Sequence, residues 1–137
     1  MPYFIRAKTY YRYAEQQLRA AEDALDQGDL AGACQRAKEA VEKALRALWS
    51  IVEFEAPEQK PSVEEILSQI ERAVEPTMAR ELRRAWRKIE DLSSKGLDQD
   101  KVKEVIAQAR FVVRNTREIL EPLIGPPESP KKRPFLL

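Results

Sequence analysis

The chain has 137 residues, 24 Lys plus Arg against 23 Asp plus Glu, and a formal net charge of +1. That length supports one hydrophobic core, and so balanced a charge draws the chain onto nucleic acid or anionic lipid only through a local patch. There is no histidine, which removes the commonest general base, the commonest zinc ligand and every Ser–His or Cys–His nucleophile pair.

The first segment places Phe4, Ala7, Tyr11, Ala14, Leu18, Ala21 and Leu25 at alternating steps of three and four. That spacing predicts an amphipathic helix. Gly28 suits a left-handed cap at its end, and Asp29 suits the N-cap of the next helix. The second helix is expected to bury Leu30, Ala33, Ala37, Val41, Ala44, Leu45, Leu48 and Val52. So short a turn between two long helices makes an antiparallel hairpin. Pro57 and Pro61 bracket a loop. Ser62 followed by Glu65 forms a capping box for a third helix, carrying Val63, Ile66, Leu67, Ile70 and Val74, with Pro76 as its stop. Thr77 is the expected cap of a fourth helix bearing Met78, Leu82, Ala85, Trp86, Ile89 and Leu92. Ser93, Ser94, Lys95 and Gly96 break it. Asp98 or Asp100 opens the last helix, whose apolar face runs from Val102 to Leu123, and Pro122 is its expected end.

The fold class that follows is all-α, an up-and-down bundle of four or five helices on a long antiparallel hairpin. Residues 1–124 form one domain, and residues 125–137 form a Pro-rich basic tail ending in Phe135, Leu136 and Leu137. We expect that tail to dock on its own domain, on a partner copy or on a crystal neighbour. No apolar run reaches the roughly 18 residues of a membrane-spanning helix. The first residues carry charges where a signal peptide needs an apolar core. Cys34, the only cysteine, cannot form an internal disulfide. The expected setting is cytoplasmic, with no membrane contact. A single Asn115 amid abundant Glu, Lys and Arg leans toward a thermophilic source.

No catalytic set emerges. Cys34 sits on the edge of an apolar stripe and reads as a small buried hydrophobe. The acidic pairs Glu22/Asp23, Glu53/Glu55, Glu64/Glu65, Glu90/Asp91 and Asp98/Asp100 read as solvated or capping charge, so no metal and no cofactor is expected. Glycine-rich phosphate loops are absent.

Two basic stripes are the candidate binding residues. Arg80, Arg83, Arg84, Arg87 and Lys88 crowd one helix around Trp86, and Arg110, Arg114 and Arg117 share one face of the last. If the two faces adjoin, Arg83, Arg84, Arg87, Arg110, Arg114 and Arg117 form a positive surface suited to RNA or nucleotide phosphates. The alternative is a solvated face paired with Glu71, Glu75, Glu81, Glu90 and Glu118. Tyr3, Tyr10 and Tyr13 lie beside the first apolar seam and suggest a homodimer or partner contact. The alternative is rings half-buried at the bundle end.

The order of parts is similar to a known family. A long helix ends in Gln27-Gly28-Asp29-Leu30. A second begins Ala31-Gly32-Ala33-Cys34-Gln35-Arg36-Ala37 and runs through Ala40-Val41-Glu42-Lys43-Ala44-Leu45-Arg46-Ala47-Leu48. The last reads Lys101-Val102-Lys103-Glu104-Val105-Ile106, then Ala109-Arg110-Phe111-Val112. Over about residues 4–121 this resembles the HEPN family, including archaeal members of the PaREP1 group. The resemblance implies a homodimeric bundle, often paired with a minimal nucleotidyltransferase in toxin–antitoxin systems, with nucleotide or RNA binding in other members. It also implies, in active members, a metal-independent ribonuclease whose signature is an Arg followed after four to six residues by a His. The closest match is Arg87, for which the His falls at Leu92, Ser93 or Ser94. None of these supplies the imidazole that takes the proton of an attacking 2′-hydroxyl. The expected protein is therefore a non-catalytic interaction module. Two alternatives stay open: a His-independent enzyme using carboxylates or Arg, and a tetratricopeptide-like adaptor, which requires a repeated hairpin.

Overall fold

The computed structural model describes residues 4–52 and 61–125. They form five helices and, among the described residues, no strand: α1 (Phe4–Asp26), α2 (Leu30–Val52), α3 (Val63–Ile70), α4 (Pro76–Ser93) and α5 (Gln99–Ile124). The expected C-terminal tail, Tyr3 and most of the loop at Pro57 lie outside the described residues.

The α1–α2 turn is closed by local chemistry. Gly28 has φ +79°. The Gly28 N–H donates to the Leu25 carbonyl at 3.0 Å and the Asp29 N–H to the Ala24 carbonyl at 2.9 Å, the paired bonds of a Schellman cap. Asp29 then caps α2, accepting from the Gly32 N–H at 2.9 Å. A Cβ at position 32 would press on that Asp29 carboxylate, which would have to shift. The hairpin runs antiparallel, as hydrogen bonds from Arg36 to Gln17 and from Arg6 to Ser50 mark at its two ends.

Alanine sets how closely the helices approach. Ala7, Ala14 and Ala21 of α1 and Ala33, Ala37, Ala40 and Ala44 of α2 are all fully buried, and α1 against α2 is the most extensive packing in the molecule. Helix α5 lies along both and also meets α4. Val102, Val105, Ala109 and Val112 are completely covered there. The hairpin is thus closed into one bundle by α5 rather than repeated along a stack, which removes the tetratricopeptide-like alternative.

Both proline expectations need correction. Pro76 does not stop α3, which ends at Ile70 and leaves Val74 half-buried in the connecting turn. Instead Pro76 starts α4, with Glu75 and not Thr77 as N-cap, its side chain accepting from the Met78 N–H at 3.0 Å. A first-turn proline lacks only an N–H that has no helical partner anyway. Pro122 does not end α5, which continues to Ile124. It forfeits one bond in the last turn, and the Gly125 N–H still reaches the Glu121 carbonyl at 2.9 Å. The other caps stand where expected: Ser62 and Glu65 form the reciprocal box, and Asp98 accepts from the Lys101 N–H. Two of the expected core residues, Phe4 and Leu123, are exposed instead, in the terminal turns of α1 and α5.

Candidate interaction surfaces

Two carboxylates, Glu64 of α3 and Glu71 at its C-cap, set the geometry of the first basic stripe. The Arg83 Nε donates to Glu71 at 3.1 Å and its Nη1 to Glu64 at 2.8 Å, pulling the guanidinium toward α3. Arg84 pairs with Glu81 at 3.3 Å. Arg80 reaches the Thr77 hydroxyl at 3.4 Å, and its charge acts on Glu75. Arg87 is exposed and has no ion pair or hydrogen bond among the described residues. Arg80, Arg83, Arg84 and Arg87 line an open cavity of about 400 Å³.

The second stripe is turned the other way. Arg110 reaches across to Glu22 of α1 at 2.7 Å. Arg117 bonds Glu121 at 3.0 Å; that contact raises its pKa, and Tyr11 and Glu15 of α1 add to the rise. Arg114 is exposed. The α4 side of α5 is marked instead by Glu104, which pairs with Lys88 at 3.6 Å. The two stripes therefore flank α5 on opposite sides and do not merge into one surface. A smaller cavity of about 290 Å³ beside Arg110 is walled by Glu22, Leu25, Asp26, Lys103 and Ile106. Its mixed charge has no preference for an anion.

The positions five to seven residues after Arg87 form the end of α4. Leu92 is half-buried. The Ser93 hydroxyl donates to the Ile89 carbonyl at 2.8 Å and the Ser94 hydroxyl to the Asp91 carbonyl at 2.9 Å. Both hydroxyls are engaged in closing the helix.

At the tyrosine-rich end, Tyr10 and Tyr13 share one cation. The Lys43 ammonium lies 5.9 Å from the Tyr10 ring and 5.3 Å from the Tyr13 ring, with Glu39 at 3.8 Å. Tyr13 remains 42% exposed, Phe4 43% and Ile5 84%. Tyr11 is buried and donates to Glu15 at 3.0 Å. Burial first, and the Glu15 charge second, push its phenol far above the ordinary range.

One cluster escapes the sequence reading. Arg46 is only 4% exposed. Its Nη2 donates to Glu42 and to the Pro61 carbonyl, each at 3.0 Å, while Nε and Nη1 are buried with no hydrogen-bond partner among the described residues. Beside it, the Arg6 guanidinium lies 4.5 Å from the Trp49 ring and donates to Ser50 at 2.9 Å. Ser50 in turn donates to the Arg46 carbonyl, and the Trp49 indole N–H donates to Gln69 at 2.8 Å. The visible signal is a lone charge inside the run Ala44-Leu45-Arg46-Ala47-Leu48-Trp49, with Glu42 one turn earlier.

Cys34 is buried, and burial pushes its thiol up, away from the reactive thiolate. Among the described residues no three His, Cys, Asp or Glu side chains gather as metal ligands, and no helix is long and apolar enough to cross a membrane.

No curated protein and no solved structure matches this chain. A family model described as the HEPN domain matches residues 7–125, a span that takes in all of α2 to α5 and nearly all of α1. The chain belongs to the HEPN domain family.

Proposed function

We propose that this HEPN domain is a non-catalytic binding module that forms a homodimer and engages a partner protein of the minimal nucleotidyltransferase class, with its arginines as contacts for nucleotide or RNA phosphates. The observation that carries this reading is the state of Arg87. It is exposed and unpaired among the described residues, while Leu92, Ser93 and Ser94 offer no imidazole and both hydroxyls are spent on helix carbonyls. An arginine so placed can bind a phosphate, but the chain has no imidazole to take a 2′-hydroxyl proton. The dimer reading is supported by the exposed apolar residues Phe4, Ile5, Tyr13 and Leu123. Helices α1 and α5 run antiparallel, with Arg117 level with Tyr11 and Arg110 level with Glu22, so Leu123 stands at the Phe4 end of the bundle. Exposed apolar groups gathered at one end favour association.

Light scattering on the purified chain, with affinity capture from its native cells, tests the reading. It predicts a dimer weakened by Ile5→Glu, and a co-purifying nucleotidyltransferase. A monomer at high concentration that captures neither protein nor nucleic acid contradicts it.

A further inference from the structure

We infer that α3 is a detachable helix: it undocks and recloses as a unit while α1, α2, α4 and α5 stay packed, and Arg83 is its latch. This inference is independent of what the arginines bind.

Helix α3 has eight residues. A helix shorter than about 12 residues does not hold its own shape in water, so α3 persists through what it docks on. Its capping box closes its first turn but does not tie it to the bundle. Its buried side is Ile66, Leu67 and Ile70. Among the described residues it packs on α2 and, more narrowly, on α4, and has no packing contact with α1 or α5. The other four helices meet one another without it: α1 lies on α2, and α5 joins α1, α2 and α4. Release of α3 therefore uncovers the sides of α2 and α4 on which it rests and leaves the contacts among the other four in place. A small peripheral unit of this kind opens at a lower free energy than the whole domain.

Three polar ties hold α3 down. The Arg46 Nη2 donates to the Pro61 carbonyl at 3.0 Å, and the Trp49 indole N–H donates to Gln69 at 2.8 Å. Both donors belong to buried residues of α2. The third tie is the Arg83 fork. Glu64 and Glu71 stand seven residues apart, about two helical turns, and Arg83 reaches both, at 2.8 and 3.1 Å. One α4 side chain thus clamps both ends of α3. The Arg83 side chain is largely covered, but those of Glu64 and Glu71 are 52% and 45% exposed. Salt reaches this tie and weakens it, whereas it screens the two buried ties far less. The latch is therefore the part of the docking that ionic strength sets.

The test is hydrogen exchange on the full chain, read residue by residue by NMR at low and at high salt. The amides of Ile66, Leu67 and Ile70 and the Trp49 indole N–H are expected to share one protection factor. That factor should lie below those of Val105, Ala109 and Val112 on α5 and fall further in high salt. Arg83→Gln should lower it about five- to tenfold, remove most of the salt effect and leave the α5 amides unchanged. Glu64→Gln combined with Glu71→Gln cuts the same latch from the α3 side and should act alike. Equal protection on α3 and α5 overturns the detachable helix. So does an acceleration by Arg83→Gln that is equal across all five helices, since that is a loss of global stability. Fast α3 exchange that neither salt nor either variant alters overturns the latch.

Discussion

Arginine is treated in opposite ways at two places in this bundle. Between α2 and α3, Arg46 is buried at 4% exposure with two of its nitrogens lacking a hydrogen-bond partner among the described residues, and Arg6 is laid against Trp49. On α4, Arg80, Arg84 and Arg87 stand in solvent around a cavity. A buried cation is costly to desolvate, so the first set is tied into structure: Arg46 holds the Pro61 carbonyl just before α3 begins. An exposed cation costs little to hold in place and little to remove. The contrast teaches that the number of arginines is a poor guide to binding. Their access to solvent separates a scaffold contact from a ligand contact.

The sharpest way to break that contrast is to remove the scaffold side. Trp49→Ala deletes a side chain only 4% exposed, together with its bond to Gln69, and should cost about 4 kcal/mol of unfolding free energy. Arg46→Ala leaves the Pro61 carbonyl without its donor and should cost about 3 kcal/mol. Arg46→Met should cost well under half of that, because both variants remove the charge but Met keeps most of the buried volume that Ala empties. Denaturant unfolding measures all three. A negligible loss in Arg46→Ala contradicts the scaffold role.

Much of the backbone plan is legible in the sequence because it is written in short-range rules. Gly28 with Asp29, Ser62 with Glu65, and Asp98 each act within about one turn of their own position. Those rules carry a measurable prediction: Asp98→Ala should cost about 1 kcal/mol through loss of the α5 cap. Where two local rules compete, the reading fails. Pro76 fits a helix stop and a helix start equally well, and the Glu75 side chain decides for the start by capping Met78. Pro122 breaks a helix by propensity, yet it sits so near the end that only one bond is lost. Arg46 is illegible for a different reason: its partner at Pro61 is 15 residues away and its cover comes from packing no local pattern encodes. The same holds for the basic stripes. Helical spacing puts each stripe on a face, but only the reach of Arg110 to Glu22 and of Arg83 to α3 shows that the faces stand apart.

Two titrations sharpen the contrast between buried and exposed groups. The Tyr11 phenol is raised in the folded chain, so the folded state keeps a proton that the unfolded state loses from about pH 10 upward. Its contribution is fully present below pH 10 and declines as pH rises beyond it. Unfolding measured near neutrality and again above pH 10 should show a loss that Tyr11→Phe reduces. The exposed Glu75 carboxylate is lowered, chiefly by the Met78 N–H. Its contribution is present above its ordinary value of 4.5 and lost as pH falls through the lowered one. Glu75→Gln should flatten that acid limb slightly. The smallest effect belongs to the ligand side: Arg87→Ala should change stability by no more than about 0.5 kcal/mol.

The central claim is that this HEPN domain binds without cutting. The most direct measurement incubates the purified chain with end-labelled single-stranded RNA at low salt and follows both retention and strand length, with Arg87→Ala alongside. The account predicts strands that keep their full length over hours, with any retention weakened in Arg87→Ala. Cleavage products that vanish in Arg87→Ala would contradict it, because the chain would then possess a proton-transfer route that Leu92, Ser93 and Ser94 do not supply.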